Sequence, residues 1–162
     1  MSDLTENEAA TRVRDAQRPP LWLLAMITLS GTLSLHIFAP AMPIAAQAFS
    51  VSASVMQLTL SAYVIGLAFG QLAHGFLSDR FGRRPVLICG MILYAATSVA
   101  ATLAPTVNLL IAARFLQALG GSAGLVLGRA IVRDSATGDE TAKNLSLMNL
   151  MVMLGPGLAP LI

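Results

Sequence analysis

Three polar side chains stand inside stretches of this sequence that are otherwise almost wholly apolar. Arg114 is the only formal charge between Pro85 and Gly128. A guanidinium at membrane depth costs several kcal/mol, so such a residue faces a cavity or a partner rather than hydrocarbon. Gln117 follows three residues later, on nearly the same face of a helix. His36 lies in a run from Pro19 to Ser78 that holds no Asp, Glu, Lys or Arg, and histidine is a residue type that exchanges a proton near physiological pH. Arg114 is nine residues after Pro105 and His36 seven before Pro43, which places them roughly 13 Å and 10 Å below one boundary at ~1.5 Å per residue. His36, Arg114 and Gln117 are therefore expected to line one polar cavity, with a hydrogen bond to neighbouring backbone as the alternative for His36. Such a cavity can hold a polar group or pass a proton. Bond-breaking chemistry is not expected: the chain has no phosphate-binding loop, no zinc spacing and no nucleophile–base arrangement. Neither an enzyme nor a bound cofactor or metal is anticipated.

A second constellation is the charged knot Gly75-Phe76-Leu77-Ser78-Asp79-Arg80-Phe81-Gly82-Arg83-Arg84-Pro85. An acid just beyond a span can accept hydrogen bonds from the amino end of a neighbouring helix, which suits Asp79. Gly75 would let another helix approach closely, and Gly82 suits a turn that needs a positive φ. Arg80, Arg83 and Arg84 can pair with Asp79 and with Asp134 on the same face. The plainer reading is that these arginines only fix topology, and the two readings are compatible.

The elements that carry these residues follow from composition. Hydrophobic residues make up 56% of 162 and charged residues 11%, with a mean hydropathy of +0.73. That is the composition of an all-α integral membrane protein. A span needs roughly 20 mostly apolar residues, and five can be placed: 21–42, 55–77, 85–103, 107–128 and, incomplete, 144–162. Pro43 is expected to help end the first, and residues 129–143 to form a second charged loop. Residues 1–18 read as a cytoplasmic disordered tail ahead of a signal-anchor helix.

Charge sets the orientation. Arg12, Arg14, Arg18, Arg80, Arg83, Arg84, Arg129, Arg133 and Lys143 all fall on one side, whereas the turns at 46–54 and 104–106 carry no charge. The positive-inside rule makes that side, and the amino terminus, cytoplasmic. It also accounts for the sequence pI of about 9.2 without nucleic acid. Gly120-x-x-x-Gly124-x-x-x-Gly128 and Gly66-x-x-x-Gly70 are small-residue repeats that let helices pack closely. The single cysteine, Cys89, reads as a small buried hydrophobe. Gln71 and His74 read as a polar pair facing other helices, since no third ligand for a metal is evident.

The knot resembles the signature loop between the second and third helices of the major facilitator superfamily. Arg114-Phe115-Leu116-Gln117-Ala118-Leu119-Gly120-Gly121 resembles the arginine-bearing motif of that family's fourth helix. Ala130-Ile131-Val132-Arg133-Asp134 and Gly155-Pro156-Gly157-Leu158-Ala159-Pro160 resemble elements of its drug–proton antiporter branch, and Phe38-Ala39-Pro40-Ala41-Met42-Pro43-Ile44-Ala45 resembles a first-helix segment of the bicyclomycin and chloramphenicol resistance subgroup. The resemblance covers nearly all of 20–162. It implies a truncated amino-terminal half of a multidrug efflux antiporter in the cell inner membrane, with drug-like small molecules and protons as partners beside the lipid bilayer. It implies that Gly75, Asp79, Arg80, Gly82, Arg83, Arg84 and Asp134 act as a conformational latch. Gly155, Pro156, Gly157 and Pro160 would bend the fifth helix in an element linked to exchange direction. The subgroup usually carries an acid where this chain has His36, which puts proton coupling through the first helix in question. The family folds as two six-helix halves, so this chain would be a fragment, or would need the missing carboxy-terminal half or another chain. A non-transporting remnant or assembly partner is the alternative.

Overall fold

The computed structural model describes residues 20–135 and 139–158. They form five helices: α1 (Leu21–Ala48), α2 (Ala53–Phe81), α3 (Arg83–Thr102), α4 (Val107–Ser135) and α5 (Asp139–Leu158). The tail 1–18 and residues 159–162 of the fifth span, Pro160 among them, lie outside the described residues. Helices α1 to α4 are long and apolar enough to cross a membrane. The described residues thus form an all-helical membrane bundle.

Two boundaries differ from the sequence reading. Helix α1 runs through Pro40 and Pro43 to Ala48, so Pro43 does not end it. Each proline only removes one N–H, which frees the carbonyl four residues back, here those of His36 and Ala39, and membrane helices tolerate this where other groups or cavities compensate. The charged segment 129–143 is not an extended loop either. Helix α4 continues to Ser135 and α5 begins at Asp139, with Arg133 in the last turn of α4 and acids at the start of α5. Both placements favour the helix dipoles, so the helices persist past the apolar stretch. At the α2–α3 junction Gly82 takes φ +88° and donates its N–H to the Ser78 carbonyl at 3.0 Å. The opposite turn closes on Ser52, whose Oγ accepts the Val55 N–H at 3.3 Å.

Helix α4 is the axis of the bundle: 61% of its apolar stretch is buried, against 17–28% for α1, α2 and α3. Small residues permit this. A methyl on Gly66 would strike the Phe115 carbonyl, and one on Gly120 would stand 2.7 Å from the Gly90 carbonyl of α3. Gly124 and Gly128 meet Ile27 and Thr28 of α1 instead. The repeat 120–124–128 therefore serves two neighbours, because each four-residue step drifts by about 40° around a helix of 3.6 residues per turn. Two expectations fail. Gly75 has nothing within 4 Å of an added Cβ, so no described helix packs there. Cys89 is exposed, on a face of α3 turned away from α4. Apolar clusters close the bundle towards its ends, Leu24, Ala25, Val132 and Met148 at the charged end and Ala46, Met56 and Leu110 at the other. Between them lies a polar layer.

Candidate functional site

The polar layer is built on the i, i+3 pair of α4. Arg114 reaches α1 and Gln117 reaches both α1 and α3. One Arg114 terminal nitrogen, Nη1, donates to the Ser34 carbonyl at 3.4 Å and to Gln117 Oε1 at 3.2 Å. Gln117 Nε2 donates onward to Ser98 Oγ at 2.8 Å and Ser34 Oγ at 3.3 Å. Tyr94 donates its hydroxyl to the Ser30 carbonyl at 2.9 Å. The Ser34 hydroxyl must then be the donor in its 2.9 Å contact with Tyr94. Ser98 gives its hydrogen to the Tyr94 carbonyl at 2.6 Å. The network therefore has one direction: it starts at the guanidinium, passes through Gln117 and ends on backbone carbonyls of α1 and α3.

The guanidinium also stacks on aromatic rings. Its carbon lies 3.7 Å from the Phe38 ring centre and 5.9 Å from that of Tyr63, a cation–π arrangement that offsets part of the desolvation of the charge. Tyr63 is buried on α2 and bonds the Gly31 carbonyl at 2.5 Å. Beside this group a cleft of about 520 Å³ opens between α1, α3 and α4, lined among others by Ser30, Ser34, Ile37, Phe38, Tyr94, Ser98, Thr102, Arg114 and Gln117. That volume lies within the range of small-molecule sites.

The structure brings Arg114 and Gln117 together but not His36. His36 is exposed and is not among the residues that line the cleft. Its depth agrees with the sequence reading, since Arg114 sits at the level of Ser34 and Phe38. Its direction does not: residue 36 is about 200° around the helix from residue 34. Ser34, Tyr63, Tyr94 and Ser98 escaped the sequence reading because single hydroxyls in apolar runs usually bond their own helix. Only the depth of Arg114 could have pointed to them.

The charged knot lies at the end of the bundle shared by the α2–α3 junction and the α4–α5 connection. Arg83 Nε meets Asp134 Oδ2 at 2.7 Å, both side chains partly exposed. Arg80 lies over the Phe81 ring at 5.5 Å. Asp79 and Arg84 are exposed and make no ion pair among the described residues. Gly155, Pro156 and Gly157 fall in the last turns of α5. His74 and Gln71 do not act as a pair: Gln71 is exposed, whereas the buried His74 shares its single Nδ1–H between the Gly70 carbonyl at 2.8 Å and Ser122 Oγ of α4 at 2.9 Å, the Ser122 hydroxyl giving its own hydrogen to the Leu119 carbonyl.

Comparison with known proteins agrees with this architecture. Residues 24–162 match the family model of the Major Facilitator Superfamily. An uncharacterised MFS-type transporter of Bacillus subtilis, YdgK, is 45% identical over 86% of this chain and 35% of its own length. A chloramphenicol resistance protein of Pseudomonas aeruginosa is 37% identical over 86% of this chain and 34% of its own. Multidrug resistance protein D of Escherichia coli is 32% identical over 88% and 36%. The chain spans about a third of the length of these curated relatives. With its apolar helices, its central arginine-bearing helix and a match over residues 24–162, this multi-pass membrane chain belongs to the Major Facilitator Superfamily.

Proposed function

We propose that this chain is the amino-terminal portion of a secondary-active drug–proton antiporter of the cell inner membrane, with its amino terminus in the cytoplasm. The observation that carries the reading is Arg114, a cation held at membrane depth beside a cleft, on a chain whose relatives include proteins named for chloramphenicol and multidrug resistance. Arg114 and Gln117 form the cleft's polar wall. His36, exposed on α1, stands outside this wall. The knot at 75–85 with Asp134 serves as a latch, and the Arg83–Asp134 pair holds it to α4. Gly155, Pro156, Gly157 and Pro160 form the bending element of the fifth helix.

The test is uptake of chloramphenicol into everted membrane vesicles of a strain expressing the protein, driven by an imposed pH gradient. Wild-type vesicles are expected to accumulate the drug, and Arg114→Ala vesicles to fall to the level of empty-vector vesicles. Wild-type vesicles that do no better than the empty vector would favour a non-transporting role, and a fully active Arg114→Ala variant would remove Arg114 from the mechanism.

A further inference from the structure

The cleft carries one full charge, and the described residues place no counter-charge beside it. Apart from residues 1–15, the acids of the chain are Asp79, Asp134, Asp139 and Glu140. All of them sit at the charged end of the bundle; Asp134 is twenty residues along α4 from Arg114, roughly 30 Å at ~1.5 Å per residue. Arg114 is held by uncharged partners alone: a carbonyl, an amide oxygen and two aromatic faces.

The donors of that guanidinium are unevenly used. Nη1 directs its hydrogens to Ser34 and Gln117. Nε is fully buried with no hydrogen-bond partner, and Nη2 makes no hydrogen bond to the described residues. Nε–H and one Nη2–H point the same way from the planar group, and together they form the two-pronged edge that a carboxylate fits with two parallel hydrogen bonds. The lining hydroxyls do not compete for this role. Ser30, Ser34, Tyr94, Ser98 and Thr102 already give their hydrogens to carbonyls or to each other. They offer lone pairs, and Arg114 alone offers uncommitted donors.

We infer that the Arg114 site takes small organic acids, bound through their carboxylate on the Nε–Nη2 edge, and disfavours organic cations. The inference rests on the proposed transport reading and adds a ligand class to it; chloramphenicol, which has no carboxylate, would be held by the hydroxyl and aromatic lining instead. Nε is closed to water in this state, so the acid reaches it as the walls of the cleft part, the same movement that alternating access requires. The hydroxyl oxygens then receive hydrogen-bond donors elsewhere on the molecule.

Three probes of nearly equal shape separate the possibilities: benzoate, benzamide and benzylammonium, titrated by calorimetry onto the purified full chain in lipid nanodiscs. Benzoate is expected to bind at least about tenfold more tightly than benzamide, the ratio that one charge-assisted pair supplies, and benzylammonium not to saturate. Arg114→Gln should bring benzoate down to the level of benzamide and leave benzamide unchanged, while Arg114→Lys keeps part of the preference. The helical circular-dichroism signal of each variant shows that it is folded. Equal binding of benzoate and benzamide, or tighter binding of benzylammonium, overturns the inference but leaves a binding cleft. Binding of none of the three overturns the cleft itself. A charge preference in a protein whose vesicles move no chloramphenicol would leave this inference standing and retire the proposed drug transport.

Discussion

At the scale of single residues, the polar layer depends on hydrogen bonds that leave no hydroxyl proton idle. Tyr94 is its hinge, because it accepts from Ser34 and donates to Ser30 across the α1–α3 gap. Tyr94→Phe keeps the ring and leaves the half-buried Ser34 hydroxyl without its acceptor in the cleft wall. Losing one such hydrogen bond costs about 0.5–1.5 kcal/mol, so the variant should melt slightly earlier in detergent, as read by circular dichroism. An unchanged midpoint would mean that Ser34 turns to another acceptor and that the network is looser than its distances suggest. Arg114 and Gln117 were legible from the sequence because a charge in an apolar run demands an explanation and three residues span nearly one turn. The partners on α1 and α3 were not legible. Which face of α1 meets α4 depends on glycines and on Thr28, whose hydroxyl bonds the Gly124 carbonyl at 3.1 Å, and spacing along α1 alone does not choose that face. His36 fell on the wrong side of this choice.

At the scale of helices, close contact around α4 is made by absent side chains, and the glycines are not equivalent. Gly66 rests on the Phe115 carbonyl, while Gly75, nine residues on in the same helix, has open space around it. Gly66→Ala must push α2 off α4, at a cost of about 1–3 kcal/mol for an overpacked contact. Gly75→Ala meets nothing and should gain up to about 1 kcal/mol from helix propensity. Thermal unfolding of the two variants in detergent is expected to shift in opposite directions. A destabilised Gly75→Ala chain would show that another element packs on that face in the membrane. Element order and the first four spans could be read from charge-free runs of sequence, since hydrocarbon thickness fixes their length. The ends could not. Prolines at 40 and 43 look like stops, and charges at 129–143 look like a loop, yet a helix keeps its own backbone bonds through both until something better replaces them.

At the scale of the whole molecule, one end of the bundle is charged and the other is not, an asymmetry from which the positive-inside rule predicts an orientation. Arg80, Arg83 and Arg84 cluster at the α2–α3 junction, Arg129 and Arg133 ride the end of α4, and Lys143 the start of α5. The turns after α1 and α3 hold serine, alanine, proline and threonine only, beside single Val51, Phe49 and Leu103. Apolar side chains such as Phe69, Leu72 and Phe76 stand exposed along α2, at 62%, 77% and 76%, which suits a surface that meets lipid or other helices rather than water. Cysteine labelling decides the orientation directly. In a Cys89→Ser background, Ser54→Cys marks the uncharged end and Arg80→Cys the charged end; both positions are exposed. A membrane-impermeant maleimide added to intact cells is expected to label Ser54→Cys, and to label Arg80→Cys only after the cells are broken. The reverse pattern would place the Arg83–Asp134 pair outside the cell and set the chain against the positive-inside rule, with basic residues translocated past a membrane potential that opposes their crossing. The latch proposed for the knot would then stand on the wrong side of the membrane for its role.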